Sequence, residues 1–506
     1  MKAGRPRGIL SFVTKQDDPA AVPASIGDPV VAIERANALV SAVLSGLLKR
    51  KRSIAAALMY ILALGRDVRA NCWDLSEKAG LEPGDGRFHR LLERYRWSWE
   101  RGREMLPVLA QEALGADPDD EIGPGLAVDE TTDLKRGAAT ACVSPQHSGV
   151  TGKTGNCVTW VFSALVTATG QCWAWFGLYM PGCWAKDPVR RKKAGIPRGL
   201  EFATKPELAI AQVKAVIERG VRICWVAADE VYGRSGDFRA ACRALFLSYV
   251  VIIPCDYRVT LARGTAPVRA EEAARGAVFE RRSAGNGTKG PRWGWRALLA
   301  TEDPDEYLLV RRLEREKNPY TYYLCHAAPG RPATLKYFVM IAARRWPVET
   351  SFKSGKDGLG WDQSQVATWT AQNRHTLLAA LAMIRIIFLR SFLARGITDG
   401  EPLPVPGPDP AGDAEGTTST SLDLRIHPGA DTVPAVAGLP CPVGIPPVRL
   451  SDTEAARIDA LTRAYTGGLL SRDRLAFHFR WSHWRRRHQA RARWSHYSAR
   501  LAPITG

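Results

Sequence analysis

No Cys-x-x-Cys pair occurs among the ten cysteines of the 506-residue chain, so the usual zinc spacing is missing. A chain of this length has no need of a disulfide framework either. Cys142, Cys157, Cys172, Cys183 and Cys224 lie mostly in apolar surroundings, as buried thiols do. The nine histidines show no metal-ligand spacing. The GxxxxGK[ST] phosphate loop is absent; Lys153 and Gly155 echo it only loosely, so no nucleotide cofactor is expected. The first residues, MKAGRPRGILSFV, contain no apolar run of secretion-signal length. The most hydrophobic stretch, Leu377 to Leu393, is interrupted by Arg385 and Arg390, which reads as a buried helix and not a membrane span. A cytoplasmic protein without internal repeats is expected.

Acidic residues are outnumbered, 51 against 70 lysines and arginines, for a formal charge of +19. That excess points to a polyanionic partner, which for a soluble protein is usually nucleic acid. An anionic membrane surface, or a basic surface with no specific partner, are the alternatives. With 45% hydrophobic residues the chain can bury a sizeable core, divided among two to four units.

Residues 1–120 read as helical, with apolar positions at helical spacing over 32–64 around Lys49-Arg50-Lys51-Arg52. The segment from Trp73 to Gly80, a Pro/Gly turn and the basic run Phe88 to Arg96 outline either a helix-turn-helix or a plain helical hairpin. From 121 the texture changes. Gly125-Leu126-Ala127-Val128 is a short apolar run ending in Asp129, and Val158–Thr167 and Gln171–Tyr179 form a hairpin. Residues 205–219 are helical and stop at Gly220; Ile223–Ala228 is a second apolar run, ending in Asp229. A helix over 237–247 and a strand over 249–253 follow. Strand, hairpin, helix, strand, helix, strand is the order of an α/β RNase H-like core over 121–255. Residues 256–335 read as a β-rich insertion, and 336–398 as the second part of the core. Residues 399–450 read as a linker: positions 401–450 hold 11 of the 33 prolines. Residues 451–506 form a tail with no acid after Asp473, interleaving aromatics such as Trp484 with Arg485, Arg486 and Arg487. That mixture suits phosphate contact with base stacking.

Two carboxylates, Asp129 and Asp229, thus each follow a short buried strand, where acids line the crevice of an open α/β sheet. On neighbouring strands they would repel unless they shared a cation, and oxygen-only ligands suit Mg²⁺ or Mn²⁺. A pair of such ions can drive phosphoryl transfer. The third ligand is expected on a helix. Pro347 belongs in a first turn, which puts Glu349 near a helix start, with Lys353 and Lys356 at i+4 and i+7. Lys356 and Arg345 would then hold DNA phosphates. An exposed Glu–Lys helix pair is the plain alternative. Strand alternation points Glu130 and Glu230 away from the neighbouring aspartates, making them supporting or surface groups. Asp237 and Asp357 read as solvated charges, and His375 as a packed helix histidine.

These residues resemble the bacterial insertion-sequence DDE transposases of the IS-four-like superfamily, in the branch with a compact RNase H-like catalytic domain. Its Y-x2-R-x3-E-x6-K signature is matched by Arg345, Glu349 and Lys356, with Ala342 in place of the tyrosine. The first-acid motif resembles V-D-E-T…K-R-G at Asp129 to Gly137, and the second A-D-x-x-Y-G at Asp229 to Gly233. Gly152-Lys153…Asn156-Cys157, the stretch from Leu178 to Pro197 and the tail from Trp481 to Gln489 also match. The resemblance implies an Asp129, Asp229, Glu349 triad holding two divalent ions. It implies cleavage of element ends in double-stranded DNA and transfer of the 3′-hydroxyls to target DNA. It also implies a homodimer in a synaptic complex and a nucleoid-associated location. Lys153, Arg345, Lys353, Lys356, Trp484 and Arg485 to Arg487 are the expected DNA contacts. An RNase H-like nuclease without strand transfer, an inactive transposase-derived DNA-binding protein and a two-carboxylate glycosidase are the rival readings.

Overall fold

A computed structural model describes residues 29–395, apart from breaks at 68, 149–151, 288–289 and 314–319, and residues 452–501. The described residues fall into two compact units: one holds those up to 79 together with 86–395, the other Gly80–Asp85 together with 452–501. The Pro-rich segment expected to be a linker lies outside the described residues.

The first unit opens with five helices: α1 (Pro29–Leu47), α2 (Lys51–Ala63), α3 (Cys72–Lys78), α4 (Arg87–Glu93) and α5 (Trp99–Leu114). Asn71 caps α3 and Ser98 caps α5, each side chain accepting from backbone N–H groups of the first turn. The sheet begins with β1 (Gly125–Leu134), β2 (Ser144–Ser148), β3 (Lys153–Val166) and β4 (Gln171–Leu178). Two short turns of helix, α6 (Gly182–Ala185) and α7 (Pro188–Lys193), lead to α8 (Lys205–Glu218), which starts with a capping box between Thr204 and Glu207. Next come β5 (Trp225–Ala228), α9 (Glu230–Gly233), α10 (Gly236–Ala244) and β6 (Ser248–Ile253).

β4 pairs with β3, β3 is antiparallel to β1, β1 is parallel to β5, and β5 is parallel to β6. A meander followed by two parallel crossover strands, in the order β4-β3-β1-β5-β6, is the RNase H-like arrangement. The fold expectation rests on this order.

A small pair, β7 (Arg258–Val259) and β8 (Val268–Arg269), and a helical turn, α11 (Ala270–Ala273), precede β9 (Glu280–Gly287), β10 (Gly290–Ala300), β11 (Glu306–Arg312) and β12 (Tyr320–His326). The longer strands of the 256–335 segment extend the core sheet. β12 pairs antiparallel with β6, and β11, β10 and β9 continue outward, so the core and the insertion share one sheet of ten strands among the described residues. An edge strand left bare at β6 would expose unpaired backbone groups, and β12 satisfies them.

The chain returns through α12 (Leu335–Ala343), α13 (Pro347–Lys353), a π turn at Ser354–Gly358 and α14 (Trp369–Arg395). α14 is the buried helix expected from its apolar run: Leu377, Leu378, Ala379 and Ala380 are fully covered. Helices α1, α2, α4 and α5 pack around it. The amino-terminal helices, whose sequence outlines either a helix-turn-helix or a plain hairpin, therefore share a core with the sheet. Two buried polar anchors join them. His375 Nε2 meets the Trp361 carbonyl at 2.8 Å and Nδ1 meets the Tyr60 hydroxyl at 2.8 Å. Arg374 donates to the carbonyls of Leu92 and Trp97.

The second unit contains α15 (Asp452–Thr466) and α16 (Arg472–Leu501). Trp481 is buried and donates to the Leu81 carbonyl, and Arg480 pairs with Glu82.

Candidate active site

The register of the parallel pair places the first two acids. Val128 stands opposite Ala228, so the next residue on each chain, Asp129 and Asp229, stands beside the other where the parallel pair ends. β5 stops there. Asp229 caps α9, its Oδ1 accepting from Val231 N at 3.0 Å. The turn is pressed against β6 so closely that a Cβ on Gly233 would lie 1.8 Å from the Ile252 carbonyl oxygen. Only glycine fits, which explains the second-acid motif locally.

β1 continues beyond its parallel neighbour to Leu134. Past the end of β5 nothing separates its two faces at this edge, and Glu130, expected to point away, joins the acids. One carboxylate oxygen each of Asp129, Glu130 and Asp229 lies within 4.8 Å of the others. Glu130 Oε1 accepts from Lys205 Nζ at 2.6 Å, at the start of α8. Glu230, by contrast, is paired on the surface with Arg234, and Asp237 and Asp357 are exposed as expected.

Glu349 sits in the first turn of α13, as Pro347 predicts. It reaches the acids through a cation: Arg345 Nη2 donates to Glu349 Oε1 at 2.7 Å while Nη1 donates to Asp129 Oδ2 at 3.2 Å. The arginine expected to meet DNA phosphate is thus held by two of the three predicted acids. α13 is fixed from below by an aromatic cluster. Trp173 donates to Ser351 Oγ at 3.0 Å, and Phe352 packs on Phe162 at 5.5 Å between ring centres. Upstream, Arg344 makes two 2.7 Å bonds to the Asp120 carboxylate, tying α12 to the loop before β1.

Lys356 departs from the expected helix face. The chain widens into the π turn after Lys353, with Gly355 so near Trp173 that a Cβ would lie 2.3 Å from the ring. This displaces Lys356 inward, where Nζ donates to the Thr132 carbonyl at 3.0 Å; burial lowers its pKa. Lys353 and Lys153 remain exposed. In the second unit Trp484 stacks on His488 at 5.3 Å and lies edge-on to Trp481. Trp484 and His488, with His483, Arg487 and Arg491, line a hollow of about 230 Å³; Arg485 and Arg486 are half-buried.

Burial pushes the Asp129 carboxyl up to about 7, with the charge of Asp229 adding to it, and the Asp229 carboxyl up to about 6, with Glu130 adding. A cluster of half-buried oxygens that resists ionising is chemically suited to a hard divalent cation, which would supply the missing charge. Sequence reasoning missed Lys205 and Tyr232 as neighbours of these acids. The tyrosine was visible only as part of a motif, and nothing marked the lysine.

A DDE superfamily endonuclease model matches residues 43–286, and a transposase DDE domain model matches residues 201–385. A probable transposase for insertion sequence element IS701 from Microchaete diplosiphon is 29% identical over 189 residues. That match covers 37% of this chain and 45% of the relative, less than half its length. Among solved structures, a piggyBac transposase synaptic complex with hairpin DNA aligns at 12% identity and a TM-score of 0.38, covering 72% of this chain and 76% of that one.

Proposed function

We propose that this chain, which belongs to the DDE transposases, cleaves DNA at the ends of an insertion element and joins the freed 3′-hydroxyls to target DNA. The observation that carries the reading is the register of β1 and β5, which sets Asp129 and Asp229 side by side, with Glu349 one guanidinium away.

Asp129, Asp229 and Glu349 would hold Mg²⁺ or Mn²⁺, two ions in the full site. Such ions activate an attacking oxygen and stabilise a leaving one in phosphoryl transfer. Asp229 is held toward the site by its own cap bond to Val231, and Asp129 by the backbone N–H of Glu130. Arg345 positions Asp129 and Glu349 and places positive charge beside the phosphodiester. Lys356, fixed on the Thr132 carbonyl, supports α13 and adds to that positive field. Lys153, Lys353 and the Trp484 to Arg487 segment are proposed contacts to the DNA backbone, working mainly through phosphate charge. A cytoplasmic, nucleoid-associated homodimer bridging two element ends, with no nucleotide cofactor, completes the reading.

The test uses a plasmid carrying the DNA that flanks the gene. Incubation with the full chain and Mg²⁺ is expected to release the segment and to yield joined products. Metal-dependent nicks without joined products would leave only the nuclease reading, and no metal-dependent cleavage would remove both.

A further inference from the structure

We propose that Glu130 is a further metal-holding residue, sharing a divalent cation with Asp129 and Asp229. This rests on the metal-dependent reading above and adds a fourth acid to it. The carboxylate is within 4.8 Å of both aspartates, closer company than Glu349 keeps, since Glu349 reaches them through Arg345.

Two further observations point to a ligand. Glu130 is only half satisfied: Oε1 is bound by Lys205, while Oε2 is buried and has no hydrogen-bond partner among the described residues. A buried carboxylate oxygen is costly to leave without a partner. Tyr232 stands behind it. Its side chain is fully buried, and its hydroxyl faces the Glu130 carboxylate without closing a well-formed hydrogen bond, with Asp229 and Asp129 the other charges around it. Three acids and a buried carboxylate oxygen backed by a poorly aligned phenol form a pocket built for positive charge, of which Lys205 and Arg345 supply only part. A divalent cation would take the free oxygen of Glu130, with the phenol left to donate to a neighbouring carboxylate.

The roles of Lys205 and the cation are then competitive. Lys205→Met should tighten cation binding, and it should do so only while Glu130 is present.

The test is titration of the metal-free full chain with Mn²⁺ at pH 8, free ion being counted by electron paramagnetic resonance. Glu130→Gln is expected to weaken Mn²⁺ binding about tenfold or more, and Lys205→Met to strengthen it. The double variant should bind as Glu130→Gln does. Glu230→Gln, at an acid paired with Arg234 on the surface, should bind as the unaltered chain does. Glu130→Gln binding within twofold of the unaltered chain, or Lys205→Met acting equally in both backgrounds, overturns the proposal. If Glu130→Gln does not fold, Glu130→Asp replaces it, and unaltered Mn²⁺ binding in that shortened variant counts against the proposal in the same way. Asp229→Asn separates the two layers: if it too keeps full Mn²⁺ binding, the metal-dependent reading itself fails, whatever Glu130 does.

Discussion

Arg345 joins Asp129 to Glu349, one guanidinium nitrogen 3.2 Å from the first carboxylate and another 2.7 Å from the second. A residue of β1 and a residue of α13, 220 positions apart, are thereby held at one point by a half-buried charge. Removing that charge should leave the acids repelling one another. Arg345→Gln is expected to lower the melting temperature of the metal-free chain by several degrees at pH 8. At pH 5, where Asp129 and Asp229 are largely protonated, the loss should be much smaller. Equal losses at both pH values would show that the guanidinium does not act through these acids.

The raised carboxyls carry their own pH signature. Asp129 titrates near 7 and Asp229 near 6 in the folded chain, against an ordinary value of 3.8. The folded state therefore binds more protons than the unfolded one between about pH 4 and 7. Their contribution to stability is complete below the unfolded value and is lost as pH rises through 6 to 7. Asp129→Asn should relieve this, so its melting temperature relative to the unaltered chain should rise between pH 5 and pH 8. Protons also compete with the cation, so Mn²⁺ affinity should increase over the same interval. Calorimetry and Mn²⁺ titration check the two halves.

His375 runs the other way. Burial pushes its pKa from 6.5 down to about 4, with the Tyr60 hydroxyl and the Trp361 carbonyl on its two nitrogens. The unfolded chain binds the proton more readily. Stability from this group is present above pH 6.5 and is lost as pH falls toward 4, by about 3 kcal/mol in all. Tyr60→Phe, which strips the donor from a buried acceptor, should cost about 1–3 kcal/mol at pH 8 by denaturant unfolding. A smaller loss than about 0.5 kcal/mol would mean that the bond does not hold α2 on α14.

Gly233→Ala tests the turn that aims Asp229. A Cβ there would sit 1.8 Å from the Ile252 carbonyl oxygen, so the α9 turn must move away from β6. A destabilisation of about 1–3 kcal/mol is expected, together with weaker Mn²⁺ binding than in Gly236→Ala, where a Cβ meets open space. Unchanged metal affinity in Gly233→Ala would show that the turn does not set the position of Asp229.

The aspartates were legible in the sequence because each closes a short apolar run, and a buried strand leaves its next residue at the sheet edge. Glu349 was legible because proline confines it to a first helical turn. Lys356 was misplaced because spacing assumes an unbroken helix, while Gly355 lets the chain widen against Trp173. Glu130 was misjudged because alternation fixes only the face a side chain leaves from, and beyond Val128 no β5 residue stands between the two faces. The sharing of one sheet by core and insertion was hidden for a different reason. The pairing of β12 with β6 joins residues some 70 positions apart, and no local pattern records it. The amino-terminal helices look independent in sequence, because the apolar face that binds them belongs to α14.

The central claim is that Asp129, Asp229 and Glu349 act together on one phosphodiester with a divalent cation. Its most direct measurement is cleavage of end-bearing DNA by the purified chain and by Asp129→Asn, Asp229→Asn and Glu349→Gln, with Mg²⁺ and without it. Each substitution should reduce the Mg²⁺-dependent rate at least a hundredfold, about 3 kcal/mol of transition-state stabilisation, while leaving DNA retention intact. Any one of the three cutting at the rate of the unaltered chain would contradict the account.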